Sequence, residues 1–503
     1  MGYIRMNSTI SRSRLNYIVL CTALITYAGA IITSSPYERL TGDATLYLSI
    51  AEKYLQGDFT HAINGYWGPL LSWLLIPFLY FEASPVVAIN TLNLLFGLCT
   101  IIGVWRLSAR FEITGNLTNI IMISLVPILF FISLIQPMDF LLVCVLVFYL
   151  NVVFKKDYPA KVSHALSAGF LGALAYFSKP FGLPFFLSHF LLMSLCHYMG
   201  ISSGEDRKRV IRNTLLGLVM FSLLCGPWIA LISKKYHHLT FSNMGRGVFA
   251  SVGPGSAHDT LGKGDPIFFE GFFAPPNETA FVIYEDPSFA RKKTWSPLES
   301  RHSFRHFINN LSENFFEGTK IYESYSRLSI SIVIAYILLI FSQPIRTMCS
   351  RTDLLYPLLT IALYTIGYFP FHFEIRYLWI VNILLLLMGG RVLDELFQSM
   401  FFKKRAMKGM LMIFFVISFI MTPIKSSIES TRNNINSEMH TLSLELNRRY
   451  DIHGNIASNR QKMQIPVHDS WHKTFRLAYW LKSRYFGVPR ENISDNELAQ
   501  ELR

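Results

Sequence analysis

Long apolar segments separated by short polar ones make up most of this 503-residue chain. A helix that crosses the hydrocarbon core of a bilayer needs roughly 20 mainly apolar residues. Eleven segments approach that length, and they predict an all-α polytopic membrane protein. The predicted spans are about 15–33, 86–105, 118–135, 139–154, 163–178, 181–198, 213–231, 327–342, 353–370, 377–390 and 409–424.

One further apolar segment, PLLSWLLIPFLYF at 69–81, is too short to be a span. As a helix it covers only roughly 20 Å, and counting it as a span spoils the charge pattern downstream. We therefore predict a partly inserted helix or a lead-in to the next span. The first segment, 15–33, is long and lacks a closing small-residue cleavage site, so we predict a retained span rather than a signal peptide.

Composition agrees with a membrane protein, because 51% of the residues are hydrophobic and 16% are charged, against about 25% charged in soluble domains. The net charge of +13 raises the question of nucleic-acid binding. The basic residues, however, cluster in short loops on one side of the predicted topology, as the positive-inside rule requires. We therefore expect membrane lipids, and no nucleic acid, as partners. The clustered residues are Arg5, Arg12, Arg14, Arg106, Arg110, Lys155, Lys156, Arg207, Lys208, Arg209, Arg212, Arg346, Arg351, Arg391, Lys403, Lys404, Arg405 and Lys408.

The same topology predicts an inward N-terminus and an outward C-terminus. The outward polar regions are 34–68, 232–326, 370–376 and 425–503. The sequence thus predicts two parts, a transmembrane domain over residues 1–424 and an extracytoplasmic C-terminal cap over 425–503. Because the cap mixes strand-like and helical patches, we expect it to be a small α/β or irregular unit.

The stretch RLTGDATLYLSIAEKYLQGDF, residues 39–59, predicts a short helix directly outside the first span. Thr41 or Asp43 can cap this helix, and capping is the ordinary explanation of an aspartate at such a position. Tyr47 lies one turn beyond Asp43 on the same edge. An amphipathic helix of this kind is expected to lie in the plane of the membrane interface. Its apolar stripe is Ala44, Leu48, Ala51 and Leu55, and its polar stripe is Thr45, Ser49, Glu52 and Gln56.

Three more charged positions lie on the predicted outer side. Asp139, in QPMDFLLV, begins a span, where the helix dipole favours a carboxylate. Lys179, in YFSKPFGLPFF, lies among aromatic residues, and its ordinary explanation is snorkelling to headgroups. Arg376 has His372 and Glu374 nearby in YFPFHFEIRYLW. A Glu374–Arg376 surface pair is the ordinary explanation there, although residues two apart on a helix face different ways.

Ionisable groups at membrane depth are costly, so their accumulation on one side indicates a functional site. Here they comprise carboxylates and two cations, Lys179 and Arg376. This set suits the displacement of a phosphate from a lipid. A carboxylate takes the proton of an acceptor hydroxyl, and the cations stabilise the departing phosphate.

Several motifs, in order along the chain, resemble those of glycosyltransferases of the GT-C fold. They are GDATLYLSIAEKYLQGDF after the first span, WGPLLSWLLIPF, QPMDFLLV, LGALAYFSKPFGLPFF and FEIRYLWIVNILLLL. Within that fold they are most similar to the protein O-mannosyltransferase and lipid A aminoarabinose transferase branch, which is glycosyltransferase family 39-like. The resemblance covers Asp43 to Leu386 and implies a GT-C transmembrane domain with about eleven transmembrane helices.

The resemblance also implies an activity. Members of the branch take a sugar from a polyprenyl monophosphate of the undecaprenyl-phosphate type and attach it to an acceptor outside the cytoplasmic (inner) membrane. The acceptor is lipopolysaccharide or O-antigen, another envelope glycan, or a protein. Asp43 and Asp139 are then the expected catalytic residues, with Asp43 as the general base of an inverting reaction. Lys179 and Arg376 are expected to bind the donor phosphate. Expected substrate contacts are Tyr47, Trp67, Tyr377, His372, Glu374 and His237.

This sequence departs from the branch at several points. Ala44 stands where a second acidic residue usually follows the first, and Trp67 stands where many members have a histidine. The long loop lacks the sugar-modifying repeats of the eukaryotic enzymes, so a prokaryotic enzyme of the same chemistry is expected. No cofactor is certain. A divalent metal ion between Asp43 and Asp139 stays open, but two residues without a third ligand make a poor metal site.

Three alternatives remain at this stage. A transporter or flippase fits the spans, but its charged groups are expected near the midplane on broken helices. An O-antigen ligase or polymerase uses a lipid pyrophosphate and concentrates arginines and a histidine in its large outer loop, which His237 and His238 open here. A non-enzymatic assembly scaffold is the third.

Overall fold

The computed structural model describes residues 14–158, 161–201, 203–254, 271–289, 295–342, 351–371, 373–399, 402, 404–432, 435–458, 470–489 and 494–501. Helices dominate these residues. They are α1 (Arg14–Thr33), α2 (Gly42–Leu55), α3 (Phe59–Ala62), α4 (Pro69–Tyr80), α5 (Pro85–Ser108), α6 (Gly115–Ile135), α7 (Phe140–Val153), α8 (Val162–Ser178), α9 (Gly182–Met199), α10 (Gly204–Tyr236), α11 (Met244–Ser251), α12 (Arg301–Tyr325), α13 (Ser329–Phe341), α14 (Leu355–Ile366), α15 (Trp379–Gln398), α16 (Arg405–Thr431), α17 (Ile435–Tyr450), α18 (Ser470–Trp480) and α19 (Asp495–Glu501).

Each of the eleven predicted spans coincides with a helix. By length and composition, six helices of the described chain can each cross a membrane, namely α1, α5, α6, α9, α10 and α16. Helices α12 and α13 together pass the same test but bend by 102° between them. Helices α7, α8 and α14 are apolar but shorter. The all-α polytopic class is confirmed, and the count of eleven spans stays a prediction.

The doubtful segment 69–81 is a separate short helix, α4, rather than a continuous lead-in to α5. Pro69 occupies its first turn, where a missing N–H costs nothing. Glu82 then adopts a left-handed conformation with φ 58°, which ends the helix before Pro85 starts the next one. The proline and the reversed backbone thus separate two apolar helices that hydropathy alone runs together.

The centre of the bundle consists of helices that are apolar on all sides. Every residue of α15 from Trp379 to Arg391 is buried, and most of α7 is buried between α5 and α8. Helix α6 packs against α1 and α16, and α8 packs against α10. A helix without a polar face is stable only inside such a bundle or in lipid.

Arg391 corrects one prediction, which assigned it to a basic cytoplasmic loop. It lies inside α15, whose helix continues to Gln398 beyond the predicted end at 390. Its guanidinium is fully buried, with Nη2 2.5 Å from Glu395 Oε1 and Nε 3.5 Å from Asp353 Oδ2. Because these carboxylates neutralise the charge, the helix can continue through the arginine.

The C-terminal region packs directly on the transmembrane part. Helix α16 runs through the predicted boundary at 424 and ends at Thr431. Beyond it, α17 packs against α18, and α18 packs against α2. Two two-residue strand pairs complete the region. These are the parallel pair β2 (Asn455–Ile456) with β3 (Arg484–Tyr485), and the antiparallel pair β1 (Gly271–Phe272) with β4 (Gly487–Val488). Since β1 comes from the long loop, loop and cap are joined.

Candidate active site

Asp43 is not the N-cap residue of helix α2. Thr41 is the N-cap, and its Oγ1 accepts a hydrogen bond from the backbone N–H of Ala44 at 3.3 Å. Asp43 lies within the first turn, where the helix dipole favours a carboxylate, and its side chain is 30% exposed. Of the two predicted cap residues, the structure therefore selects Thr41.

Most of the predicted polar stripe of α2 contacts protein instead of solvent, and only its last residue, Gln56, is exposed. Thr45 and Ser49 are buried, and Ser49 Oγ donates to Glu285 Oε2 at 2.9 Å. Lys53, further along α2, is also buried and forms an ion pair with Glu285. Glu285 belongs to a short turn of the long loop, and Asn64 Nδ2 donates to its carbonyl oxygen at 2.7 Å. The polar contacts of α2 thus anchor the long loop over this helix. Sequence periodicity alone cannot tell a polar helix face that contacts another part of the protein from one that contacts solvent.

Arg376 is the centre of the charged cluster. Its Nη1 donates to Asp43 Oδ2 at 2.8 Å, and its Nε lies 3.8 Å from Asp139 Oδ2. Glu374 also pairs with Arg376, at 2.6 Å between Oε2 and Nε. The helical geometry that argued against this pair does not apply, since Glu374 is extended and Arg376 lies in a 3-10 turn. Burial lowers the pKa of Arg376, but Asp43 and Glu374 raise it well above its ordinary value, so it stays charged.

Asp139 and Lys179 form the second pair. Asp139 directly precedes α7, and Lys179 directly follows α8. Their side chains are 14% and 13% exposed, and Lys179 Nζ donates to Asp139 Oδ1 at 2.7 Å. Lys179 Nζ also lies 4.5 Å from the ring centroid of Tyr377, a favourable cation–π distance. Lys179 therefore points into the protein instead of snorkelling to headgroups.

A cavity of about 320 Å³ joins both pairs. Tyr47 and Trp67 form part of its wall, with ring centroids 5.3 Å apart at 67°. Trp67 Nε1 donates to the carbonyl oxygen of Tyr284 at 3.0 Å, which fixes the indole against the long loop. The lining residues are Thr41, Gly42, Asp43, Leu46, Tyr47, Tyr66, Trp67, Ile135, Gln136, Met138, Asp139, Lys179, Met244, Val248, Tyr284, Pro287, Arg376, Tyr377, Phe475 and Arg476.

The glycine of the WGPL motif, Gly68, is required by a close backbone contact. It caps α4 immediately after Trp67, and a Cβ at this position would lie 2.5 Å from the carbonyl oxygen of Phe177. A contact that close with backbone requires the chain to shift. Glycine therefore lets the start of α4 approach the end of α8, next to Lys179.

A second, apolar groove of about 400 Å³ adjoins the charged cavity. Tyr377 stands at the junction. Its hydroxyl donates to Glu374 Oε1 at 2.9 Å, and its ring stacks on Tyr368 with a centroid distance of 4.9 Å. The residues common to both cavities are Lys179, Met244, Val248 and Tyr377. The remaining groove residues are Pro180, Phe181, Pro184, Phe185, Ser188, Phe241, Ser242, Gly245, Leu363, Ile366, Gly367, Tyr368 and Phe371.

Two predicted contacts are not part of this cavity as the structure describes it. His237 ends α10 in a left-handed conformation with φ 58° and is exposed, outside the lining. His372 lies outside the described residues. The other predicted residues, Asp43, Asp139, Lys179, Arg376, Tyr47, Trp67, Tyr377 and Glu374, come together around the cavity.

The wall contains a third cation that the sequence pattern does not single out. Arg476, on α18, is buried, and its Nη1 donates to Asn436 Oδ1 at 2.7 Å. Its Nε is buried without a hydrogen-bond partner within the described ranges. Nothing local distinguishes Arg476 from the other basic residues of the tail, because its importance comes from α18 packing on α2.

The site does not fit the divalent ion that the sequence left open. Within the described chain, no cluster of three or more His, Cys, Asp or Glu side chains can hold a metal. Asp43 and Asp139, the expected ligands, both face the guanidinium of Arg376. The guanidinium of Arg376 thus already occupies the space between the two carboxylates that a metal ion would need.

Comparisons with known proteins identify the fold. No protein-family model matches the chain, and no curated protein sequence matches it significantly. The crystal structure of ArnT from Cupriavidus metallidurans bound to undecaprenyl phosphate aligns with 96% of this chain and 87% of its own, with a TM-score of 0.54 and 12% identity. The Archaeoglobus fulgidus oligosaccharyltransferase, in complex with Zn and sulfate, aligns with 94% of this chain and 62% of its own, with a TM-score of 0.51 and 12% identity. Both have the fold predicted from the motifs, and this chain is a membrane protein of the GT-C glycosyltransferase fold.

Proposed function

We propose that this protein is an integral-membrane glycosyltransferase that takes a sugar from a polyprenyl-phosphate donor and passes it to an acceptor at the outer face of the cytoplasmic membrane. The observation that carries the proposal is the continuity of a charged cavity with an apolar groove at Lys179 and Tyr377. A polyprenyl-phosphate sugar has the matching halves, a long apolar tail and a phosphate-linked polar head. One ligand of this kind can fill both spaces at once.

The cations are suited to the phosphate. Lys179 uses one of its three N–H donors on Asp139, which leaves the others for phosphate oxygens. Arg376 presents five donors in a planar fork that matches phosphate geometry. The apolar groove leads away from this point and supplies a path for the first isoprene units. The structure solved with undecaprenyl phosphate bound, that of ArnT, has the same fold.

The proposed reaction is a direct displacement at the anomeric carbon. The acceptor hydroxyl oxygen forms the new bond to that carbon while the bond between carbon and phosphate oxygen breaks. Asp43 takes the hydroxyl proton, and the electron pair stays on the leaving polyprenyl phosphate. Attack opposite the leaving group inverts the anomeric configuration. The phosphate changes from a diester with one negative charge to a monoester with two, so Lys179 and Arg376 stabilise the transition state more than the ground state.

Asp139 has a double role in this proposal. Through Oδ1 it positions Lys179, and its Oδ2 is buried without a hydrogen-bond partner within the described ranges. We assign Oδ2 to a hydroxyl of the transferred sugar. Tyr47 and Trp67 supply the aromatic surface on which a sugar ring packs. In this proposal each of the two carboxylates has its own role: Asp43 takes the proton, and Asp139 positions Lys179 and the sugar.

The assay that tests this function uses the purified protein in lipid nanodiscs with a panel of radiolabelled polyprenyl-phosphate sugars. A cell-envelope extract supplies lipopolysaccharide, other glycans and proteins as acceptors. We expect one donor to transfer label to an acceptor with release of polyprenyl phosphate, and the Asp43→Asn variant to lose this transfer. Lipid-pyrophosphate sugars are included as a separate arm. Transfer from those alone would favour the O-antigen ligase alternative. A parallel measurement in sealed proteoliposomes tests transport, and label that crosses their bilayer without transfer would favour a transporter.

A further inference from the structure

A third cavity, of about 520 Å³, lies at the opposite end of the bundle from the charged site. Helix α7 begins directly after Asp139, whereas the third cavity is lined by its last residues, Asn151 and Val152, and by Lys155 beyond them. Helix α8 has the same orientation, since Ser167 and Leu171 of its first half line this cavity and Lys179 follows its end. The 14 residues of α7 separate the two sites by roughly 20 Å.

The wall of the third cavity is strongly cationic. Arg106, Arg110 and Lys155 line it, and no acidic side chain is among its described lining residues. Asp157, the nearby acid along the chain, lies 3.5 Å from the Nζ of Lys161. Burial and the neighbouring charge of Arg110 lower the pKa of Lys155, with a smaller opposing effect of Asp157. The cations therefore repel one another, and Asp157, the acid that partly offsets the charges of Arg110 and Lys155, lies outside the cavity lining.

Two polar atoms in the same wall lack partners. The Nε of Arg110 and the Oδ1 of Asn151 are buried and accept or donate no hydrogen bond within the part of the chain that the structure describes. Asn151 is otherwise held firmly, because its Nδ2 donates to the carbonyl oxygens of Gly103 and Val147 at 2.8 and 2.9 Å. A buried donor and a buried acceptor without partners are costly. Both side chains line the cavity, so a ligand that carries a phosphate oxygen and a hydroxyl offers each of them the missing partner once the side chain turns that atom toward the cavity.

The rest of the wall is apolar, with Trp105, Phe148, Val152 and Leu171 beside the cations. A free inorganic anion gains no binding energy from an apolar surface, whereas the acyl chains of a lipid pack against it. Basic pockets between membrane helices on the cytoplasmic side bind anionic headgroups, and the positive-inside rule predicts that side for this end of the bundle. We propose that the third cavity binds the phosphate headgroup of an anionic phospholipid from the leaflet opposite the active site.

Native mass spectrometry of the purified full-length protein in detergent tests the proposal, with phosphatidylglycerol and phosphatidylcholine as probes. The test variant is Arg106→Gln/Arg110→Gln/Lys155→Gln. The matched control is Lys208→Gln/Arg209→Gln/Arg212→Gln, which removes three exposed charges at the start of α10 on the same side. Each basic residue near a membrane surface contributes about fivefold to binding of an anionic lipid, so the test variant should lose about a hundredfold in phosphatidylglycerol affinity. The control should bind nearly as the unaltered protein does.

A second variant with a single substitution tests whether lost binding in the triple variant is caused by misfolding. Arg106 is exposed, so Arg106→Gln alone leaves the fold intact and should weaken phosphatidylglycerol binding by about fivefold. Equal binding of the two lipids, or an equal loss in the test and control variants, would overturn the proposal. Inorganic phosphate forms a separate arm. If it competes with phosphatidylglycerol at equal concentration, the apolar wall contributes nothing and the assignment to a lipid is wrong.

Discussion

The guanidinium Nη1 of Arg376 donates to Asp43 Oδ2 at 2.8 Å, although 333 positions separate the two residues along the chain. The pair joins the proposed base to a proposed phosphate ligand. A donor phosphate competes with Asp43 for the N–H groups of Arg376. We therefore expect donor binding to loosen the pair and to free the Asp43 carboxylate for the acceptor hydroxyl, which couples proton removal to the presence of the donor.

The first prediction concerns Asp43. Because Thr41 caps α2, Asp43→Asn and Asp43→Ala should both fold and insert normally. Loss of a general base should lower the transfer rate by about two to four orders of magnitude. The measurement is initial-rate label transfer by protein quantified in nanodiscs.

The matched control is Asp58→Asn, which makes the same chemical change at the cap of α3, outside the charged cavity. It should transfer sugar at a near-normal rate. An Asp43→Asn enzyme that retains more than about a tenth of the normal rate would contradict the role of Asp43 as the base.

The second prediction concerns the phosphate. Removing one charge-assisted hydrogen bond costs about 1.5–3 kcal/mol, so Lys179→Ala or Arg376→Ala should weaken donor binding roughly ten- to a hundredfold. Lys179→Ala also leaves the buried Asp139 with only its longer contact to Arg376, at 3.8 Å, which by itself lowers stability. Donor titration by isothermal calorimetry, with thermal stability measured in parallel, separates the two effects.

The double variant Lys179→Ala/Asp139→Asn removes both charges of this pair. It should recover thermal stability relative to Lys179→Ala, because the buried carboxylate that lost its closest counter-ion is no longer charged. Donor affinity should stay low. Recovery of donor affinity together with stability would mean that Lys179 serves only as the counter-ion of Asp139.

The third prediction concerns Arg476, the cation that the cap contributes. It lines the charged cavity but not the apolar groove, so we expect it on the acceptor side. Arg476→Gln should raise the acceptor KM about tenfold or more and leave the donor KM unchanged. The control is Arg484→Gln, a basic residue of the same cap that lies outside the cavity lining. A rise in donor KM alone would contradict this assignment.

The fourth prediction concerns pH and Glu38, which is buried just before α2. Burial raises the pKa of Glu38 to about 7, against smaller opposing effects of Arg39 and Arg476. A glutamate in the unfolded chain titrates near 4.3. The folded state therefore binds this proton more tightly, and stability should fall as the pH rises from about 4.5 to about 7, by up to about 3 kcal/mol.

Glu38→Gln removes the titrating group, so it should flatten this part of the stability profile and stabilise the protein above pH 7. Thermal unfolding in detergent between pH 4.5 and 8 measures the effect. Glu278→Gln, at an exposed position of the long loop, serves as the control and should keep the slope. An unchanged slope in Glu38→Gln would assign the pH dependence to other groups.

The fifth prediction concerns topology. Single cysteines at Asn455 and Ser203, both exposed, are introduced into a chain that lacks its native cysteines. Asn455, in the cap, should react with an impermeant maleimide in intact cells, and Ser203, before α10, only after permeabilisation. Labelling of Ser203 in intact cells would reverse the predicted orientation and place the active site on the inner face.

The sequence by itself determined the helices. A membrane helix must satisfy its own backbone hydrogen bonds and be apolar over its length, so hydropathy along the chain indicates where it lies. The same reasoning made Asp43, Asp139, Lys179 and Arg376 conspicuous, because charges are rare at membrane depth. All four line the cavity of the folded chain.

Only the tertiary structure decided how these residues are paired. The capping role of Thr41, the Arg376–Glu374 pair, the burial of Arg391 and the place of Arg476 in the cavity wall depend on which elements pack together. The apolar groove likewise arises where α9, α11 and α14 meet, and none of these helices contains it alone. Hydrophobicity is a property of each segment and can be summed along the chain. An ion pair or a cavity is a property of the distance between segments, and that distance is set by side-chain packing across the whole bundle.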